Sequence, residues 1–276
     1  MLFALAGLIE ALRAAGRTVE DLGDIPAFRW RPDRVHPFAQ NTEAVRASAL
    51  AVAGKVEAAV AAGAFPLVLG GDCTVELGTV AGHVPADDQL GLLYFDLHPD
   101  LNTPEAGERR PGALDWMGVA HMLGEAGCVE QLARIAPRYP MLADTNLLLF
   151  AWGPGQATEP ERAIIARRAL AGITVDEVRT APVQAAEQAL RLMETRVDRL
   201  LVHFDVDVID FTDTPLSENT GRNEGLAFEQ AFAALGTILQ SPRCAALTVT
   251  ELNPDHGAAD GSTVRRFVEA LASCLR

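Results

Sequence analysis

Two hundred and seventy-six residues are enough for one large α/β unit that buries a substantial core without disulfide staples. Hydrophobic residues at 49 % and charged residues at 22 % exclude a disordered chain or a fibre. Acids outnumber bases by 37 to 23, and this excess disfavours nucleic acid and anionic membrane as partners. From the amino terminus, MLFALAGLIEALRAAG lacks the basic start of a signal peptide, and Glu10 and Arg13 break its apolar run on a helical period. It is expected to form a helix over 2–15. Apolar runs at 66–70, 90–95, 146–151, 200–204 and 245–250 are expected as strands. Helical patterns lie at 42–62, 159–171, 183–195, 227–239 and 261–275. Strands too apolar to face water on either side imply a mostly parallel sheet covered on both faces, a three-layer α/β/α arrangement. Ligands in such sheets sit beyond the carboxyl ends of the strands. No linker or repeat divides the chain, so 1–276 is expected to be a single domain. Four cysteines at wide spacing form neither a disulfide framework nor a zinc knuckle, and the chain reads as a cytoplasmic protein.

Three strand ends carry acids or metal-ligand residues. Asp72 and Cys73 follow Gly70 and Gly71, Asp96-Leu-His98-Pro-Asp100 follows Phe95, and Asp205-Val-Asp207 follows Phe204. Alternate residues of extended chain point the same way, so Asp96, His98 and Asp100 converge, as do Asp205 and Asp207. If the two strands are neighbours, four carboxylates and an imidazole share one crevice, where they take up protons or bind cations. Oxygen donors with one imidazole suit Mn²⁺ ahead of Mg²⁺, Fe²⁺ or Zn²⁺. Bridging carboxylates would allow two ions about 3.5–4 Å apart around a shared hydroxide. A single Asp at a strand end caps the following helix as readily as it binds metal; the paired arrangement favours metal.

Gly-Gly-Asp-Cys-Thr at 70–74, Asp-Leu-His-Pro-Asp-Leu-Asn-Thr-Pro at 96–104, Asp-Val-Asp at 205–207 and Glu-Leu-Asn-Pro at 251–254 resemble, in order and spacing, the signature blocks of the ureohydrolase (arginase/agmatinase) family. The resemblance implies an α/β/α fold, a dinuclear manganese centre, hydrolysis of a linear guanidino or amidino C–N bond, and a homo-oligomer (trimer or hexamer). By position it implies that Asp96 and Asp205 bridge the ions. Cys73 and Asp100 would complete one site, and His98 and Asp207 the other. Glu251 would face the guanidinium, a match of fork to carboxylate, and Asn102 would lie near the substrate.

The departures from the pattern bear on the substrate. Cys73 stands where the family usually has His, and a thiolate would admit Fe²⁺ or Zn²⁺ beside Mn²⁺; some relatives acting on N-hydroxylated arginine are similar in this. Asp115 occupies the position of the proton-shuttling His of arginases, where it either transfers protons or caps the helix starting at Met117. His121, further along that helix, is expected at the surface or at an interface. Pro111 and Ala113 replace small polar residues that hold an α-carboxylate, and Arg109 and Arg110 beside them read as solvated charge. The substrate is therefore expected to be N-hydroxyarginine or a guanidino acid in preference to plain L-arginine. The sequence opens directly on a helix, so the sheet is expected to lack the family's usual first strand. Two alternatives stand beside this reading: a deacetylase-like metal-dependent amide hydrolase, and a non-catalytic relative. Gly153-Pro-Gly-Gln-Ala-Thr158 mimics a dinucleotide fingerprint, but Thr158 replaces its third glycine and Pro154 removes a donor N–H, so a strand-to-helix loop is expected there.

Overall fold

The computed structural model describes residues 6–86, 89–104 and 112–275. The apolar opening forms α1 (Ala6–Ala14), and α2 (Thr42–Ala61) follows a long irregular stretch. β1 (Leu67–Leu69) and α3 (Val75–His83) flank the Gly-Gly-Asp-Cys turn. β2 (Leu90–Phe95) leads through the D-x-H-x-D segment to the short α4 (Gly118–Met122) and α5 (Glu130–Ala133). β3 (Leu147–Trp152) and α6 (Glu159–Arg168) come next, then β4 (Ala171–Thr174), which runs straight into α7 (Val175–Thr180) and α8 (Pro182–Glu194). β5 (Arg199–Asp205), α9 (Phe228–Leu239), β6 (Cys244–Thr250) and α10 (Ser262–Cys274) complete the order.

All six strands are parallel and lie in the order β1-β6-β5-β2-β3-β4. Side chains of the central strands alternate between two cores. Leu93, Phe95, Val202, Phe204 and Val249 pack with α8, α9 and α10, whereas Leu92, Tyr94, Leu201 and Ala246 pack with α2, α3 and α4. The expected three layers result, because an all-apolar strand must be covered twice. Along the chain β2 is followed outward by β3 and β4, and β5 is followed in the opposite direction by β6. The β2–β5 pair is therefore where the strand order reverses, and a crevice opens beyond its carboxyl ends. Those ends carry Asp96 and Asp205.

The five expected strands are all present, and β4 is an addition. Among the described residues no strand precedes β1, which pairs only with β6 and leaves Leu69 exposed at the sheet edge. The segment after β3 is the expected strand-to-helix loop. Thr158 caps α6, and Glu161 closes a capping box with it. Glycines 78 and 82 let α3 lie close on α2: a Cβ on Gly78 would sit 2.5 Å from the Ala49 carbonyl oxygen, and one on Gly82 would sit 2.7 Å from that of Ala53.

Candidate metal centre

The same local device shapes both strand ends. Oδ1 of Asp96 accepts the His98 N–H at 2.7 Å, and Oδ1 of Asp205 accepts the Asp207 N–H at 2.7 Å. Each carboxylate is thereby pinned by its own backbone two residues on, as Asp favours in a tight turn. Each Oδ2 faces the crevice. Cys73 Sγ, delivered by the turn before α3, lies 2.9 Å from Asp205 Oδ2 and 4.0 Å from Asp96 Oδ2.

Two donor groups result. Cys73, Asp96, His203 and Asp205, all buried, offer one ligand atom each within 4.8 Å of one another. Asp96, His98 and Asp207 form a second group on the same criterion, so Asp96 belongs to both. His98 Nδ1 is 3.2 Å from Asp207 Oδ2 and 3.4 Å from Asp96 Oδ1. Asp205 falls in the first group alone. Asp100 is buried beside that group without joining either cluster; it is held by the Tyr94 hydroxyl, which donates to Oδ2 at 2.5 Å. Asp100 and Glu251 both hold left-handed backbone, with φ of 49° and 58°. Non-glycine residues there cost about 1–2 kcal/mol each, a strain characteristic of functional sites.

Burial and mutual repulsion set the electrostatics. Burial, and then the charge of Asp207, raises the pKa of Asp96; burial and Asp96 push Asp100 well up. Burial, Asp207 and Asp96 do the same to Asp205. Burial also pushes up Asp207, but the neighbouring His98 outweighs it and the net shift is downward. His98 is correspondingly pushed well up, Asp207 overcoming burial. Burial, Asp72 and Asp207 raise Glu251 to about 9, and Asp115 contributes to the same shift. Asp115 therefore lies near enough to Glu251 for its charge to be felt there.

The remaining expected residues are placed as follows. Asp115 opens a single 3₁₀ turn whose N-cap is Leu114, and α4 has Met117 as its N-cap with no side-chain cap. Asp115 is therefore not the helix cap. Asn102 is buried; its Oδ1 lies 3.0 Å from Thr158 Oγ1, and its Nδ2 has no hydrogen-bond partner among the described residues. His121 is fully buried, not at the surface: Nδ1 lies 2.5 Å from the Met117 carbonyl, and burial lowers its pKa to about 4. The helix that carries it packs into the core on all sides, which a five-residue pattern could not reveal. Arg109, Arg110 and Pro111 lie outside the described residues.

Sequence reasoning missed His203, Glu76 and Asn219. His203 stands two residues before Asp205, on the same face of β5, so the alternation used for the aspartates also pointed to it. Asn219 donates from Nδ2 to Asp207 Oδ2 at 3.2 Å and comes from the long loop after β5, where no periodicity signals it.

Residues 7–276 match the family model described as the arginase family. The arginase of Bacillus subtilis (strain 168) is 30 % identical over 269 residues, covering 96 % of this chain and 88 % of that protein. Human arginase-1 is 26 % identical over 273 residues, covering 98 % and 83 %. The crystal structure of the B. subtilis arginase superposes with a TM-score of 0.88 at 29 % identity, covering 99 % of this chain and 90 % of that one. The formimidoylglutamase of B. subtilis shares the fold, with a TM-score of 0.74 at 20 % identity over 99 % of this chain and 79 % of its own.

Proposed function

The chain belongs to the arginase family, and on that premise we propose that it hydrolyses a C–N bond in a guanidino or amidino compound other than plain L-arginine, using two divalent ions. The observation that carries this reading is the convergence of Asp96, Asp205, Asp207, His98 and Cys73 on one buried crevice at the sheet's reversal point. The donors suit the ions. Buried carboxyls pushed toward their neutral form regain ionisation only beside a cation, and Asp207 Oδ1 is buried without a hydrogen-bond partner among the described residues. Cys73, Asp96, Asp100 and Asp205 would hold one ion, and Asp96, His98, Asp205 and Asp207 the other. Mn²⁺ is the expected metal, with Fe²⁺ or Zn²⁺ admitted by the thiol. When bound, such ions make water a competent nucleophile near neutral pH.

The chain's own residues supply the rest. Glu251 offers two oxygens to the two N–H groups of a guanidinium, and that cation favours the ionised carboxylate which burial otherwise suppresses. Held there, the substrate carbon is positioned over the crevice. Asp115, whose charge is felt at Glu251, would carry the proton to the leaving amine. Asn102 Nδ2 is the polar contact left for the substrate. Ala113 offers no side-chain hydrogen bond to an α-carboxylate, which supports a modified guanidine such as N-hydroxyarginine, or a guanidino acid. The fold is shared with an arginase and a formimidoylglutamase, so it does not choose between them.

The full-length family match lends no support to a deacetylase-like reading. A non-catalytic relative has no selective reason to keep four carboxylates in a buried cleft, since unpaired buried charge is costly. A cytoplasmic location and a trimer or hexamer belong to the same proposal; all four cysteines are free, in keeping with a reducing compartment.

Metal analysis of the purified protein, followed by assays of arginine, N-hydroxyarginine, agmatine and guanidino acids for release of urea or hydroxyurea, tests this reading. Turnover of a compound other than arginine is expected, and Asp205→Ala should abolish both metal uptake and turnover. Arginine as the best substrate would overturn the substrate assignment. A metal-replete protein inert on every compound would overturn the activity.

A further inference from the structure

His203 and Glu76 form a buried pair directly beneath the crevice. Both side chains are fully buried. His203 Nδ1 lies 3.3 Å from Glu76 Oε2, and the ring's other nitrogen, Nε2, lies 3.3 Å from Thr250 Oγ1 and 3.9 Å from Asp96 Oδ2. The ring is clamped by Tyr94, its register partner on β2, which stacks on it at 4.1 Å with planes 3° apart. Tyr94 also holds Asp100, so a single side chain orients two residues of the site.

Glu76 sits in the first turn of α3, one helical turn after Cys73, where the amino-terminal end of the helix favours a carboxylate. As an acceptor it fixes the proton of His203 on Nδ1. The lone pair on Nε2 then points toward Asp96 Oδ2, which is itself an acceptor. Once Asp96 is ionised the two acceptors face each other in a buried site and repel unless a proton or a metal ion stands between them. Thr250 cannot relieve this alone, because its one hydroxyl proton is contested by Asp205 Oδ2 at 3.4 Å and Cys73 Sγ at 3.6 Å. Carboxylate, imidazole and metal in a row form the usual support of a histidine ligand.

We propose that His203 Nε2 is a ligand of the first ion, joining Cys73 Sγ, Asp96 and Asp205, and that Glu76 is the residue that positions it. The inference rests on the two-ion reading above. Its consequence is a centre with two unlike halves. The first half offers sulfur and nitrogen beside its carboxylates, a set that favours Zn²⁺, Fe²⁺ or Co²⁺. The second offers His98 with Asp96 and Asp207, a harder set that suits Mn²⁺.

X-ray absorption on wild-type protein loaded with one equivalent of Co²⁺ or Zn²⁺ reads the donors directly. One sulfur and one imidazole on the same ion is the expected result, because His98 and Cys73 lie in different groups. Sulfur without imidazole would overturn the proposal. Co²⁺ titrations then compare variants by the thiolate-to-cobalt charge-transfer band. His203→Asn keeps a donor toward Glu76 but removes Nε2, and Glu76→Gln removes the charge behind the ring. Glu76→Gln should weaken the first ion by about 10- to 100-fold, and His203→Asn by at least as much, while circular dichroism stays native. Two ions bound with unchanged affinity in both variants would overturn this proposal and leave the two-ion reading standing. A wild-type protein that binds no divalent ion would overturn both.

Discussion

At the scale of single residues, identical side chains behave differently because their neighbours differ. Asp205 and Asp207 are two residues apart and both buried, yet one is pushed toward its neutral form and the other held ionised by His98. The cause is the neighbouring imidazole, which lies 3.2 Å from Asp207 Oδ2. The charge of Glu251 depends on a partner, since burial, Asp72, Asp207, Asp115 and Asp96 lift it to about 9. Glu251→Gln keeps the shape and one acceptor oxygen but loses the charge that matches a guanidinium. We predict that kcat/KM falls by about 10- to 100-fold, the worth of a charge-assisted bond, while metal content is unchanged. A variant with wild-type kcat/KM would remove Glu251 from substrate binding.

At the scale of elements, the site is held by contacts that are not themselves chemical. Glu161 closes the cap of α6, accepts the Thr158 N–H at 2.8 Å, and accepts the Leu101 N–H at 3.0 Å from the loop that carries Asp100 and Asn102. Glu161→Ala should cost about 2 kcal/mol in chemical denaturation and weaken metal binding, because both the cap and the loop anchor are lost. Gly78→Ala should cost about 1–3 kcal/mol by driving a methyl into the α2 backbone, with donor geometry at the centre unaffected. Much of this level was legible in the sequence. Five strands announced themselves as all-apolar runs, and the helices of 42–62 and 227–239 appear with their ends shifted by a single residue. β4 was hidden because it has only four residues, with an exposed Gly172 and Ile173 its one fully buried side chain, and it starts at residue 171, where the helical pattern was read to end. The aspartates and His98 were legible because alternation along a strand is local information. The Glu76–His203 pair was not, because it depends on α3 lying across β5, a contact between residues 127 positions apart.

At the scale of the whole molecule, the topology brings acids together and the consequence is a pH-dependent fold. Asp96, Asp100, Asp205, Glu161 and Glu251 are all raised by burial, and His98 is raised by Asp207. The metal-free native state therefore binds more protons than the unfolded chain from about pH 4 to about pH 9, the value for Glu251. Stability without metal should fall as pH rises through that window. Asp207, shifted down, acts only below its ordinary value of 3.8; His121 and His83, both lowered by burial, oppose the trend below 6.5 but are outnumbered by the six raised groups. Melting of the metal-free protein should thus occur at a lower temperature at pH 8 than at pH 5, and a rise instead would contradict the electrostatic assignment. Divalent ions, by binding the native state, should restore the loss at pH 8. Calorimetric titration of metal-stripped protein with Mn²⁺ and with Zn²⁺ at that pH is the most direct test of the centre. Two ions per chain are predicted, with none taken up by Asp205→Ala; heat curves showing no divalent ion bound to the wild-type protein would contradict it.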